Sequence, residues 1–269
     1  MQFELPYREI RLKINRGVRS NNGFQKKYMI GNNHEIEFYS GANWTKTDLI
    51  LRSYPIYNAL NNYEICPSEM FIKKQEYLLE TIDYCITYIF GSSLLLDISQ
   101  NAIPYSHTNN FNEIYNVIRE SMGKEKQYQV STICSMPMEV VGYMKAETID
   151  RLINFIYLAK DNIIKREVLE FYRYGQLLID EPFLHWFKAW EILKKVIGNK
   201  VNDILTKKEI KYLGLYPQII RHTKFHNLYK KTLIELMNEY PLELQSKKEA
   251  IDTYRKYLKN AINEYFLNN

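Results

Sequence analysis

Glycine, proline and cysteine are scarce in this chain of 269 residues, which contains 10, 8 and 3 of them respectively. Few glycines and prolines argue against a turn-rich sandwich of strands and favour helices. The three cysteines are widely separated and show no C-x-x-C spacing, so neither a disulfide framework nor a zinc knuckle is indicated. We therefore expect Cys66, Cys85 and Cys134 to be reduced thiols, most of them buried.

Long apolar runs are also missing. None approaches the roughly 18 residues that a membrane span needs, and the first residues, Met-Gln-Phe-Glu-Leu-Pro, lack the basic and apolar regions of a signal peptide. At the same time 46% of the residues are hydrophobic, which is enough for a real core. These observations predict a folded, cytoplasmic protein that has no membrane partner.

The net charge of +5 is distributed unevenly. Between Glu191 and Thr232 there are ten lysines and arginines but three acids, a local charge of +7, so the rest of the chain carries −2. A basic segment on an otherwise nearly neutral protein is the pattern expected for binding a polyanion such as nucleic acid. A solvated, lysine-rich surface is the alternative, and charge alone does not choose between them.

The first part of the chain indicates a mixture of strands and helices. Alternating polar and apolar residues predict strands at 8–14 and 34–39, with turn residues before the second strand. A helical period then runs from Ser68, a suitable N-cap, to Gly91, a suitable stop. Two further elements are predicted, a buried strand at 93–99 and an amphipathic helix at 109–123.

After residue 140 the pattern is helical almost throughout. We predict a helix at 147–164, a second from about Arg166 to Ile179, and further helices that start after Asp180, with Pro182 in the first turn, after Thr206, at Pro217 and after Ser246. The predicted fold is therefore α+β and mainly α. It consists of a mixed N-terminal region with a small sheet, residues 1–140, and a helical bundle, residues 141–269.

The heptapeptide Arg-His-Thr-Lys-Phe-His-Asn at 221–227 lies inside the basic segment. On a helix that begins at Pro217, Arg221 and His226 flank the apolar stripe and lie near the helix N-terminus, where N–H groups and the macrodipole favour a bound phosphate. A histidine that titrates near neutrality can move the proton of an RNA 2′-OH. An arginine can stabilise the charge that grows on phosphorus, so these residue types predict phosphodiester cleavage in RNA.

Two other interpretations of the heptapeptide remain open. His222 and His226 stand four residues apart and could face one metal ion, but the glutamate of an H-E-x-x-H motif is absent, so we expect no metal. Alternatively, the histidines are satisfied within the core and Arg221 pairs with an acid. Because arginine is frequent and the chain has five histidines, the spacing alone is weak support for a site.

The C-terminal half, about residues 145–269, resembles the HEPN superfamily and more loosely its abortive-infection and Apea-like branches. In these helical domains a late helix carries an arginine, a polar residue, a short spacer and a histidine. Arg221, His222 and His226 fit that pattern. An earlier helix of the family carries an acid after an aromatic or small residue, and "FLHWFKAWEILKK" at 183–195 is similar, with Glu191 as the acid.

The resemblance implies a metal-independent endoribonuclease without a cofactor that leaves 2′,3′-cyclic phosphate ends. It also implies a homodimer with one composite cleft, a role in defence by abortive infection or as a toxin, and an antitoxin or sensor as a possible partner. In this interpretation His226 is the acid/base, Arg221 holds the scissile phosphate and His222 orients the substrate.

Three further residues receive expected roles from the same resemblance. Glu191 fixes Arg221 or His226 by an ion pair, unless it is simply a surface charge on an amphipathic helix. Lys224 and Asn227 contact the RNA backbone. The alternative function is a non-catalytic HEPN-like module that binds nucleic acid, nucleotide or a protein partner.

Overall fold

A computed structural model describes residues 7–14, 18–19, 23–40, 47–59, 62–65, 68–91, 94–96, 142–143, 146–177, 182–222 and 247–268. The chain divides into two compact units, Met1–Tyr157 and Leu158–Asn269. The domain boundary predicted between residues 140 and 141 lies outside the described residues, as does the helix predicted at 109–123.

The first unit is built on an antiparallel sheet. Its strands in chain order are β1 Arg8–Ile14, β2 Val18–Arg19, β3 Phe24–Ile30, β4 His34–Ser40, β5 Thr47–Ser53, β6 Ile56–Ala59, β7 Asn62–Ile65, β8 Leu94–Leu96 and β9 Gly142–Tyr143. Five of them form the sheet in the order β3-β4-β5-β1-β8. Strands β6 and β7 form an antiparallel hairpin, and β2 pairs with β9 in parallel. The strands predicted at 8–14 and 34–39 are thus confirmed.

The two faces of the sheet differ in polarity because the strands alternate apolar and polar residues. One face is an apolar core in which Ile36, Phe38, Leu49 and Leu51 are fully buried. The opposite face carries charged side chains. Strands β3 and β4 are joined by a tight turn, and Gly31 adopts a φ of 65° there, a conformation that favours glycine.

Two helices complete the first unit. Helix α1, Ser68–Phe90, begins and ends as predicted, and Gly91 after it has a φ of 66°. Helix α2, Ala146–Lys160, packs against α1 through the stacked rings of Tyr88 and Phe155. Cys85 of α1 is fully buried, as expected, and burial raises the pKa of its thiol.

The single helix predicted at 147–164 is wrong at its C-terminal end. Helix α2 ends at Lys160, and helix α3, Ile163–Leu177, begins three residues later. Asn162 is the cause, because its side-chain oxygen accepts the backbone N–H of Lys165 at 3.0 Å and so caps the new helix. The apolar period continues across this cap, which is why periodicity alone did not reveal the break.

The described part of the second unit is entirely helical. After α3 come α4 Pro182–Ile197, a 3₁₀ turn Gly198–Lys200, the short α5 Val201–Ile204, α6 Lys207–His222 and α7 Lys247–Asn268. Helix α4 packs against α3, α6 and α7. The helix starts predicted after Thr206 and Ser246 are confirmed, and α4 begins at Pro182, within the first turn predicted for it, while its predicted cap Asp180 lies outside the described residues. The α+β, mainly α fold class is confirmed as well.

Helix α6 begins with the predicted capping box. The Thr206 N–H donates to Glu209 Oε2 at 2.8 Å, and the Glu209 N–H donates to Thr206 Oγ1 at 3.3 Å. The two residues thereby satisfy each other's backbone donors at the helix start. This local signal sets the beginning of the helix that carries part of the predicted site.

Candidate functional site

Arg221 and His222 are the last two residues of helix α6. We predicted that their helix begins at Pro217, and this prediction is wrong because the helix begins at Lys207 and runs through the proline. The backbone of Arg221 therefore lies fourteen residues, or about 21 Å, beyond the helix start. An anion site made by helix N-terminal N–H groups is not available to it.

The passage of the helix through Pro217 has a specific cause in the tertiary structure. Proline has no N–H, so the carbonyl of Leu213, four residues earlier, lacks its usual helical donor. The hydroxyl of Tyr254 in α7 donates to that carbonyl at 2.9 Å in a buried position. The hydrogen bond from α7 thus replaces the one that Pro217 cannot make.

An aromatic layer holds Tyr254 in place. Its ring stacks on Trp186 of α4, with 6.1 Å between centroids and 9° between planes, and it meets the ring of Phe183 edge-on. Trp186 is itself anchored, because its indole N–H donates to the backbone oxygen of Tyr172 at 3.1 Å. Trp186 is almost fully buried and belongs to the core of the second unit.

Glu191 lies on the exposed side of α4. Burial is the main cause that raises the pKa of Tyr254 well above its ordinary value, and the charges of Tyr212 and Glu191 add to it. The helix that carries Glu191, α4, packs against α6, the helix that contains Leu213. Arg221 is eight residues, or about 12 Å, further along that helix.

The remaining predicted site residues are Lys224, His226 and Asn227. All three lie outside the described residues, which resume at Lys247. Of the predicted site, the described part thus contains Glu191 on α4 and the backbone of Arg221 and His222 on α6, two helices that pack against each other. The roles assigned to these six residues stay predictions.

A group of exposed lysines lies where α4 gives way to α6. Lys194 and Lys195 are in the last turn of α4, Lys200 is in the 3₁₀ turn, and three more are at the start of α6, Lys207, Lys208 and Lys211. All six side chains are exposed. We call these six residues the lysine surface. Acids within the same stretch are few, namely Asp203 and Glu209.

The first unit contains a charged cluster that composition alone did not reveal. Arg52 of β5 bonds to Glu9 at 2.8 Å and to Glu35 and Glu37 at 2.5 Å each. Burial alone would lower the pKa of Arg52, but these hydrogen bonds outweigh it and raise the pKa. Because three carboxylates already surround the guanidinium, it is poorly suited to bind a substrate anion.

A second polar group in the first unit is a chain of buried hydrogen bonds. Arg8 Nη1 donates to Gln75 Oε1 at 2.6 Å, Gln75 Nε2 donates to Ser53 Oγ at 3.0 Å, and His34 Nδ1 lies 2.8 Å from Ser53 Oγ. Strand register brings Arg8, Ser53 and His34 side by side. Ser53 is fully buried, so its hydroxyl cannot reach a substrate in solution, whereas His34 is only partly buried.

Among the described residues, no three or more histidine, cysteine, aspartate or glutamate side chains are grouped so that they could hold a metal ion. Within the same part of the chain, no helix has the length and apolarity needed to cross a membrane. The six exposed cations of the lysine surface are suited to an anionic partner.

Comparison with known proteins gave no match, whether to family models, to curated sequences or to solved structures.

Proposed function

We propose that the protein is a metal-independent endoribonuclease of HEPN type that acts in defence by abortive infection or as a toxin. The observation that carries the proposal is the position of the lysine surface at the start of α6, the helix that ends in Arg221 and His222. Exposed cations attract RNA through its phosphates. The arginine and the histidines of the heptapeptide supply the groups that phosphodiester cleavage needs.

The proposed reaction uses His226 and Arg221. His226 takes the proton of the 2′-OH, the 2′ oxygen attacks phosphorus, and the bond to the 5′ oxygen breaks. The leaving 5′ oxygen takes a proton from water and His226 returns its own proton to the solvent, so the products are a 2′,3′-cyclic phosphate and a 5′-OH. Arg221 holds the phosphate oxygens and stabilises their growing charge.

The course of α6 changes how the phosphate is bound in this proposal. A helix that starts at Lys207 offers no N-terminal N–H groups at Arg221, so side-chain cations have to hold the phosphate. Arg221 is the principal one, and Lys224 and Asn227 assist it. His222 orients the substrate, and a homodimer brings two copies of the segment into one cleft without a metal or cofactor.

The test is cleavage of RNA by purified protein in the presence of EDTA. We expect wild type to cut and to leave 2′,3′-cyclic ends. We expect His226→Ala to lose about 10²- to 10⁴-fold in rate, as is typical when a general acid or base is removed, and Arg221→Ala to lose about 10²- to 10³-fold, as is typical when a donor to the growing charge is removed. His107→Ala, a histidine with no assigned role, serves as the matched control. Circular dichroism checks that each variant is folded. Cleavage that disappears with EDTA would contradict the mechanism.

A second function, RNA binding without cleavage, is favoured because the helix begins at Lys207 and so provides no N-terminal N–H groups near Arg221 that could hold a phosphate. In that case the lysine surface alone carries the function, and Arg221 and His226 have no catalytic task. RNA binding without cleavage in any buffer, unchanged in His226→Ala, would identify this function and exclude the first.

A further inference from the structure

Part of the lysine surface is unfavourable for the helix that carries it, although Lys194 and Lys195 lie in the last turn of α4, where the helix dipole favours cations. Lys207 and Lys208 lie in the first turn of α6, where the positive end of the helix dipole disfavours cations. One of the nearby acids, Glu209, is bonded to Thr206 in the capping box. These lysines therefore weaken the start of the helix slightly rather than support it.

Four members of the surface are also available for an outside partner. Within the described residues, Lys194, Lys195, Lys200 and Lys207 take part in no ion pair or hydrogen bond, and all four are exposed. Exposed lysine side chains are flexible point charges, which suit contacts to phosphate groups rather than to particular bases. The partner indicated by this chemistry is a polyanion contacted without sequence selectivity.

The distance between the lysine surface and Arg221 decides what kind of polyanion fits. From Lys211 and Lys207 to Arg221 there are ten and fourteen residues of helix, or about 15 and 21 Å along its axis. A stacked nucleic-acid strand advances about 3.4 Å per nucleotide, so this span corresponds to about four to six nucleotides.

We propose that the lysine surface is a separate phosphate-binding site for RNA, located about four to six nucleotides from the phosphate that is cleaved. It holds the strand by its backbone and makes the protein prefer RNA long enough to reach both places. This inference rests on the proposed function in taking RNA as the polyanion. An acidic lipid surface is the competing partner, and the experiment distinguishes the two.

Binding is measured by fluorescence anisotropy with a 2′-O-methyl RNA, which cannot be cut because it has no 2′-OH. We compare wild type with Lys200→Gln/Lys207→Gln. Two lost single-strand phosphate contacts should weaken binding about 14-fold at 0.15 M salt and reduce the slope of log K against log salt by about 1.4. Lys73→Gln/Lys256→Gln removes two exposed lysines on α1 and α7 and should bind like wild type.

Cleavage of substrates of different length provides the second measurement. Lys200→Gln/Lys207→Gln should cut a dinucleotide as fast as wild type does, but it should cut a 12-nucleotide RNA with a lower kcat/KM. The inference is overturned if both double variants bind the 2′-O-methyl RNA equally. Sedimentation with phosphatidylserine vesicles tests the competing lipid partner. The inference is also overturned if Lys200→Gln/Lys207→Gln no longer sediments with these vesicles but still binds the RNA as wild type does. If this variant binds the 2′-O-methyl RNA more weakly than wild type, and wild type cuts no RNA, the results support the phosphate site and contradict the proposed nuclease.

Discussion

The hydrogen bond from Tyr254 to the Leu213 carbonyl should carry a measurable share of the stability of the second unit. Tyr254→Phe keeps the ring and its stacking on Trp186 but removes the hydroxyl that donates at 2.9 Å. The carbonyl is then buried without a donor, because Pro217 supplies no N–H. Leaving a buried backbone acceptor unsatisfied costs about 1 to 3 kcal/mol, and we expect the free energy of unfolding to fall by that amount.

Pro217→Ala turns this expectation into a double-mutant cycle. Alanine restores an N–H that can donate to Leu213, so Tyr254→Phe in this background should cost about 1 kcal/mol or less. The coupling energy between positions 217 and 254 should therefore be about 1 to 2 kcal/mol, well above the few tenths expected for independent sites. Pro217→Ala alone should stabilise the protein, because proline is unfavourable within a helix.

Urea unfolding followed by circular dichroism measures the four proteins of the cycle. Tyr265→Phe, which removes a hydroxyl elsewhere on α7, is the control and should cost the same with or without Pro217→Ala. Equal costs of Tyr254→Phe in the two backgrounds would refute the reasoning, because the hydroxyl would then not be replacing the missing helical donor.

Two further perturbations follow from single contacts. Burial lowers the pKa of Lys165, whose Nζ lies 5.3 Å from the ring centroids of Tyr265 and Phe266, below its ordinary 10.5. Lys165 thus holds its proton more tightly in the unfolded chain than in the folded protein. The free energy of unfolding of wild type should therefore rise as the pH approaches 10.5. Lys165→Met should stabilise the protein at neutral pH. Urea unfolding should show that this gain in the free energy of unfolding is smaller at pH 10 than at pH 7. An equal gain at both pH values would contradict the lowered pKa of Lys165. Thr206→Ala should cost about 1 kcal/mol, whereas Glu209→Gln, which can keep the capping box, should cost less, and equal losses would argue against a reciprocal cap.

The sequence indicated the basic character of the segment that contains the candidate site, but not where Arg221 lies within its helix. The basic character of 191–232 is a property of the sequence, and the exposure of the lysine surface agrees with it. The position of Arg221 within its helix was predicted wrongly. A proline that follows a glycine by three residues is a reasonable helix start on local grounds, and here a contact from a distant residue overrides that signal.

The polar clusters of the first unit also depend on contacts that local sequence patterns do not reveal. Ser53, Gln75 and His34 are far apart in sequence, and only the register of β4 and β5 and the placement of α1 bring them within hydrogen-bonding distance. The three carboxylates around Arg52 meet for the same reason. Sequence spacing indicated neither group, because the side chains of each come from different elements.

The sequence by itself determined the elements whose signals are local. Alternation predicted β1 and β4, Ser68 and Gly91 bounded α1, and the Thr206–Glu209 pair marked the start of α6. The tertiary structure decided whether α6 stops or continues at Pro217. The reason is physical: the missing N–H is a local fact, but the donor that makes up for it comes from Tyr254, 41 residues away from Leu213.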